Sequence, residues 1–102
     1  MFARTTLVQF KPGTLDQATH FVQNIMLPTA SKQQGFRGAL FFKSETDTQQ
    51  YIIISMWETQ ADMLASQPPK ELISQLEAYT ELIADLSQGT YEVLLHIEHP
   101  PS

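Results

Sequence analysis

The sequence predicts a single α+β domain in which a four-stranded antiparallel sheet carries its helices on one face. The length of 102 residues suits one domain with a core of its own. Runs rich in aromatic and β-branched residues alternate with stretches of helical period in the order β-α-β-β-α-β. The second of the two central strand runs is apolar on both faces, and a strand of that kind normally lies inside a sheet that is covered on both sides.

The two central runs form a β-hairpin, with arms at Phe36–Ser44 and Tyr51–Glu58. The run Glu45–Gln50 between them has no apolar residue to bury, so a turn belongs there. Successive strand residues point to opposite sides of a sheet. The second arm therefore places Tyr51, Ile53 and Trp57 on one face and Ile52, Ile54 and Met56 on the other.

The first strand is predicted over Phe2–Phe10 and ends at Lys11-Pro12-Gly13, because proline cannot donate a ladder hydrogen bond. Thr14 then starts a helix, with Gln17 three residues on to complete a capping box.

This first helix keeps its period to about Gln34 and is followed by Gly35, a suitable C-terminal cap. Pro28 interrupts it. Because proline removes one hydrogen bond and crowds the preceding turn, we expect a kink or break near Leu27.

After the hairpin, Thr59 is expected to cap a short helix over Gln60–Ser66. A longer helix follows Pro69 and ends at Gly89. Its sheet-facing stripe consists of Leu72, Leu76, Tyr79, Ile83 and Leu86.

The last strand is predicted over Tyr91–Ile97, and the tail His99–Ser102 is expected to be poorly ordered. The element order is that of the ferredoxin-like fold. Right-handed crossovers place both helical segments on one side of the sheet and leave the other face bare. A second copy of the chain is the simplest cover for an apolar bare face.

The composition restricts the partners. Six basic against eleven acidic side chains give a net charge of −5, which argues against nucleic acid and anionic membranes. The chain has no cysteine, so disulfides and thiolate chemistry are excluded. The N-terminal residues lack the apolar core of a signal peptide, and no run approaches the ~20 apolar residues of a membrane span. We therefore expect a cytoplasmic protein.

Motifs for common cofactors are missing. The sequence has no GxGxxG, no GxxxxGK[ST] and no GxSxG, so dinucleotide binding, nucleotide binding and serine hydrolysis lack support. His96 and His99 would point to opposite faces of a strand and would not share a metal. We expect no bound cofactor or metal.

Three short stretches resemble a known family. These are Gly35-Phe36-Arg37-Gly38, Ser55-Met56-Trp57-Glu58-Thr59 and Ala61-Asp62. Together with the element order, they resemble the antibiotic biosynthesis monooxygenase domain, a dimeric α+β barrel. The resemblance implies a homodimer joined through its sheet faces, with a pocket between sheet and helices in each subunit. Similar domains include cofactor-independent oxygenases of quinols and polyketide phenols, haem-degrading enzymes and isomerases.

The haem-degrading branch of that superfamily uses an Asn, a Trp and a His. The one asparagine here, Asn24, falls in the first predicted helix. In our alignment the Trp and His of that branch would fall at Ser66 and Leu76. Haem degradation is therefore disfavoured.

The candidate substrate-binding residues are Trp57, Tyr79 and Arg37. Trp57 can stack on a planar substrate and donate its indole N–H, or simply fill the core. Tyr79 can donate its hydroxyl if it reaches the helix-sheet interface. Arg37, like Arg4, can hold an anion, although a surface ion pair is the simpler alternative.

The candidate catalytic residues are His96 and Tyr51. A histidine of near-neutral pKa can take a proton from a phenol or quinol, but His96 shares its face with Glu92 and Glu98 and can equally be solvated. Tyr51 can donate to a substrate oxygen. His20 lies opposite the apolar stripe of its helix and is assigned to solvent.

Three functions remain open. The first is a cofactor-independent monooxygenase that oxidises a quinol or polycyclic phenol with dioxygen. The second is a non-catalytic dimeric module that binds a small aromatic or hydrophobic molecule or a protein. The third and weakest is haem binding without degradation.

Overall fold

The computed structural model describes residues 1–100, which form a four-stranded sheet with helices on one face. The strands are β1 (Phe2–Phe10), β2 (Phe36–Lys43), β3 (Gln50–Trp57) and β4 (Ile83–Glu92). The α-helices are α1 (Leu15–Phe21), α2 (Leu27–Ala30), α3 (Gln60–Ala65) and α4 (Ile73–Thr80). A π-helical segment, Val22–Met26, joins α1 to α2, and a 3-10 turn, Lys70–Leu72, precedes α4. In the described part of the chain, no helix is both long enough and apolar enough to cross a membrane.

The sheet has the order β2-β3-β1-β4, and every neighbouring pair is antiparallel. Along the β1–β3 pair the register runs from Phe2 opposite Trp57 to Gln9 opposite Gln50. The ferredoxin-like α+β class expected from the element order is confirmed.

Side-chain alternation on β3 separates the core from the open face. Tyr51, Ile53 and Trp57 point towards the helices and are buried, whereas Ile52 is 36% exposed on the other side. The register places exposed apolar side chains of the neighbouring strands on the same open face as Ile52, namely Leu7, Leu40 and Phe42.

The core lies between α1, α4 and the centre of the sheet. Its buried members include Val8 and Phe10 from β1, Ala18 from α1, Val22 from the π-helical segment and Tyr79 from α4. Aromatic rings meet here in tilted, stacked and edge arrangements, which suit their quadrupoles.

Two of the family-like stretches contact each other. Gly35 has φ = +81°, a conformation that favours glycine, and a β-carbon there would collide with the Asp62 side chain. Asp62 is held in the first turn of α3, where its N–H donates to the Thr59 hydroxyl at 3.0 Å. The predicted Thr59 cap is therefore confirmed, and glycine at position 35 lets β2 begin close against α3.

The first helix departs from the prediction in two ways. Thr14 does not cap α1 through its side chain; its hydroxyl instead donates to the Lys11 carbonyl at 2.6 Å. Pro28 is preceded by the π-helical segment, in which the Leu27 N–H donates to the Val22 carbonyl five residues back. Since proline cannot donate to the preceding turn, the wider turn accommodates the missing bond.

The C-terminal quarter was predicted wrongly. The last helix ends at Thr80 rather than near Gly89, and the last strand spans Ile83–Glu92 rather than Tyr91–Ile97. Residues 93–100 have no regular structure, so His96 lies beyond the sheet. Of the predicted tail His99–Ser102, the last two residues lie outside the described part of the chain.

Candidate active site

A cavity of about 270 Å³ lies between the sheet and the helical segments. Its floor comes from the helix-facing side of β1, β3 and β4. Its walls come from α1, the π-helical segment, α2, α4 and the segments that follow α2 and α3. Most of the surface is apolar, with contributions from Phe21, Met26, Leu27, Ile53, Trp57, Leu72, Leu76, Tyr79 and Leu86.

Trp57 forms an aromatic part of this wall at the end of β3. It is 2% exposed and meets the Phe36 ring edge-on at 5.5 Å. Its indole N–H donates to the Ser55 hydroxyl at 3.0 Å. Because that donor is already engaged, Trp57 offers a ligand its ring surface and not its N–H.

Tyr79 is a second aromatic contributor, from α4. Its ring stacks on Phe21 at 4.8 Å and meets Phe10 edge-on at 5.9 Å. Burial raises the pKa of Tyr79 from 10.0 to about 12. Among residues 1–100 its hydroxyl has no hydrogen-bond partner. Every fully buried side-chain oxygen in this part of the chain has a partner, so the Tyr79 hydroxyl is not fully buried and can reach a ligand or water.

Arg4 brings a positive charge to the cavity from β1. Its Nη2 donates to the Met63 carbonyl at 3.0 Å. Within the described residues no carboxylate lies at ion-pair distance from it.

Glutamine side chains fix two parts of the cavity rim. Gln33 donates to the Gln67 carbonyl at 2.8 Å and accepts from the Gln67 N–H at 3.1 Å, which joins the end of α2 to the link after α3. Gln88 donates to the Thr6 hydroxyl at 3.1 Å across β1 and β4. The side chains of Gln33 and Gln88 thus connect neighbouring segments of the rim.

The structure brings together some of the candidate residues and separates others. Trp57 and Tyr79 both line the cavity. Tyr51 does not line it; its ring is buried in the core at 5.4 Å from both Phe10 and Phe41.

The other two candidates lie at the surface. Arg37 donates to Glu58 at 2.8 Å, and both side chains are more than half exposed. His96 lies after β4, 3.9 Å from Glu98. Neither belongs to the cavity lining.

Sequence reasoning missed Ser55, Gln88 and Gln33, and it named Arg4 as a possible anion-binding residue without including it among the candidate substrate-binding residues. A signal for two of these existed. Arg4 is in phase with the buried Val8 and Phe10 of β1, and Ser55 lies between Ile53 and Trp57 on the buried face of β3. A polar residue in phase with a buried stripe points to a polar contact inside a cavity.

The chemistry on offer is binding and charge stabilisation. Among the described lining residues there is no Asp, Glu, His or Lys. Within residues 1–100, no three carboxylate or imidazole side chains cluster as a metal site. The cavity can bind a planar apolar ring system. The Arg4 guanidinium can bind an oxyanion of that ligand, and the Tyr79 hydroxyl can donate a hydrogen bond to it.

The family model described as antibiotic biosynthesis monooxygenase matches residues 1–68. The chain belongs to this family. The matched part contains Arg4 and Trp57, whereas Tyr79 and β4 lie beyond it. None of the curated proteins compared with the sequence matches it.

Solved structures of low sequence identity share the fold of this family member. A protein of Nitrosomonas europaea, named as an antibiotic biosynthesis monooxygenase, has a TM-score of 0.81 at 11% identity over 93% of this chain and 100% of its own. SnoaB of Streptomyces nogalater, described as a cofactor-independent oxygenase, has a TM-score of 0.78 at 10% identity over 96% of this chain and 97% of its own. A protein of Chloroflexus aurantiacus has a TM-score of 0.73 at 18% identity, covering 93% of this chain and 95% of its own.

Proposed function

We propose that this family member is a cofactor-independent monooxygenase that oxidises a small phenol or quinol with dioxygen. The observation that carries the proposal is the cavity itself, whose mostly apolar lining includes Trp57, Tyr79 and Arg4, and Arg4 has no acidic partner among residues 1–100. Membership of a family named for monooxygenases supports it. So does the fold shared with SnoaB, whose description names the same type of activity.

The cavity volume favours a small substrate. Pockets for drug-sized ligands run from roughly 300 to 1,000 Å³. A cavity of about 270 Å³ lies just below that range. We therefore propose a substrate with a single aromatic ring or with two or three fused rings, and we set aside larger polycyclic phenols.

The proposed reaction starts from the substrate anion. Loss of the phenolic proton makes the ring easier to oxidise, and one electron passes to dioxygen. The superoxide and the substrate radical combine at a ring carbon that carries a hydrogen, which forms a peroxide anion. This anion takes up a proton from water and becomes a hydroperoxide. Loss of water from the hydroperoxide breaks its C–H and O–O bonds. One oxygen atom then remains as a quinone carbonyl and the other leaves in water.

The side chains contribute position and charge. Trp57 and Tyr79 can hold the planar ring, and the apolar lining strengthens electrostatic contacts to the anion. The raised pKa of Tyr79 keeps its hydroxyl protonated at neutral pH, so it acts as a donor rather than as a base. Since the described lining offers no carboxylate or imidazole, the phenolic proton passes to water. His96, the base proposed from the sequence, is not needed for this route.

Oxygen uptake tests the proposal. We expect purified, chelator-treated protein to consume dioxygen with naphthols or anthrones faster than heat-denatured protein does. With ¹⁸O₂, one labelled atom should enter the quinone. Trp57→Phe should lower the rate roughly tenfold, equivalent to about 1.4 kcal/mol of transition-state stabilisation. Leu64→Ala, a change on α3 at a side chain that is 57% exposed, should leave the rate unchanged.

A non-catalytic binding module is the second candidate, favoured by the lack of an acid or base in the described lining. Ligand binding without oxygen uptake across the panel would establish that alternative.

A further inference from the structure

We infer that the cavity selects its ligand as an anion and that Arg4 is the residue that confers this selectivity. The inference rests on the proposed function for the location of the binding site. It concerns binding alone and does not require turnover.

Arg4 is directed into the cavity by the alternation of β1. Its register partners are Ser55 on β3 and Thr90 on β4, so it lies on an inner strand of the sheet. The side chain is half-buried and lines the cavity together with Thr6 from the same strand. A guanidinium there loses part of its hydration, which is unfavourable unless another partner replaces the water.

The hydrogen bond from Arg4 to Met63 does not account for this placement. The Met63 carbonyl at the end of α3 already accepts from the Ser66 hydroxyl at 2.7 Å and lies 3.4 Å from the Ser66 N–H. The carbonyl would therefore keep a partner without Arg4. The bond fixes one end of the guanidinium and leaves its other N–H groups available, since a guanidinium carries five donors.

The charge of Arg4 is also uncompensated among the described residues. Arg37 provides the contrast, because at the surface it pairs with Glu58 at 2.8 Å. Although the chain carries a net charge of −5, the described cavity lining includes no acidic side chain to repel an anion. Arg4 and Tyr79 are its titratable members, and a protonated Tyr79 is neutral.

These features define a ligand class. The apolar and aromatic lining suits a planar ring system, and a guanidinium binds carboxylate or phenolate oxygens through charge-assisted hydrogen bonds. The ligand is therefore an aromatic anion, bound more tightly than a neutral analogue of the same shape.

Calorimetric titration without oxygen tests this selectivity with 2-naphthoate and its neutral analogue 2-naphthamide. We expect wild-type protein to bind the carboxylate at least tenfold more tightly. Arg4→Met should abolish the difference, and Arg4→Lys should retain part of it. Arg37→Met, the matched surface control, should leave the ratio as in wild type.

A second measurement uses the absorbance of 4-nitrophenol, which differs between its neutral and ionised forms. Binding to wild-type protein should lower the pKa of the phenol by about one unit, which corresponds to a tenfold preference for the anion. The shift should vanish in Arg4→Met. If that variant is too unstable to titrate, the wild-type shift and Arg4→Lys decide the question.

Equal affinities for the two naphthyl ligands in wild type, no binding of either, or an unchanged ratio in Arg4→Met would overturn the inference. Selective anion binding without oxygen uptake would reject the proposed oxygenase and leave the inference standing. Oxygen uptake together with an unchanged affinity ratio in Arg4→Met would support the proposed oxygenase and overturn the inference.

Discussion

Tyr79 belongs to both the core and the cavity. Its ring completes the aromatic cluster with Phe10 and Phe21, while its hydroxyl has no partner among residues 1–100. Burial of the phenol disfavours the charged form and raises its pKa to about 12. A side chain in this state donates a hydrogen bond over the whole physiological pH range.

The raised pKa predicts a loss of stability in alkali. Between pH 10 and about 12 the folded protein retains the Tyr79 proton that the unfolded chain releases. The resulting contribution to stability is complete below pH 10 and is lost as the pH rises to about 12. Thermal unfolding should show a steeper decline over that interval in wild type than in Tyr79→Phe. Tyr91→Phe, a change at an exposed tyrosine, serves as the control and should decline as wild type does.

At the residue scale, the sequence predicted the face of a side chain better than its position along the strand. Tyr51 and Trp57 share one face of β3, as expected, but lie six residues apart. At about 3.4 Å per residue this separates them by roughly 20 Å. The cavity extends along β3 from Trp57 to Ile53, whereas the Phe10 and Phe41 rings pack against Tyr51. Strand alternation carries no information about which end the helices leave open.

At the element scale, the main error concerned the stretch after Thr80. Ile83 and Leu86 continue the helical spacing of Leu76 and Tyr79, so local periodicity favoured a longer helix. The structure instead pairs Ile83–Glu92 along the whole length of β1, whose second edge would otherwise lack a partner. Satisfying those backbone groups outweighs a weak local preference for helix.

Replacing Pro28 tests how the helical run between β1 and β2 is built. Pro28→Ala restores an N–H donor to the helical run, so the π-helical segment Val22–Met26 should tighten towards regular α-helix. We expect a gain in unfolding free energy on the order of 1 kcal/mol. Because Met26 and Leu27 line the cavity, ligand affinity should fall at the same time.

Thermal unfolding and naphthoate titration of Pro28→Ala measure both effects. Pro12→Ala removes a proline from the exposed turn after β1. It should not raise the stability and should leave the ligand affinity unchanged. A lower melting temperature in Pro28→Ala would mean that the proline stabilises the segment instead.

At the scale of the whole molecule, the sequence predicted the architecture despite the misplaced last strand. Element order and the antiparallel hairpin restrict the topology to a few arrangements, and a shift of eight residues in the start of one strand does not alter that order. The short stretches around Gly35, Trp57 and Asp62 indicated the family, and the family match over residues 1–68 confirms it. The exact cavity lining depends on side chains from nearly every element, and no local pattern contains that information.

The exposed apolar surface also belongs to this scale. The open sheet face carries Leu7, Leu40, Phe42 and Ile52. The segment after β4 adds Leu94, Leu95 and Ile97, each at least 77% exposed. Neighbouring exposed apolar side chains on a sheet face mark an interaction site, and two copies of one sheet face match each other by symmetry.

We therefore predict that the chain forms a homodimer through the open sheet face. Sedimentation equilibrium at micromolar concentration should give twice the chain mass of 11.6 kDa. Ile52→Asp places a charge among Leu7 and Phe42 of the adjacent strands and should both dissociate and destabilise the protein, because the apolar face then loses its cover. Leu64→Asp introduces the same charge at an exposed leucine on α3, and this control should remain dimeric. A wild-type chain that is monomeric and stable at this concentration, or an Ile52→Asp variant that still sediments as a dimer, would show that the sheet face is not the interface.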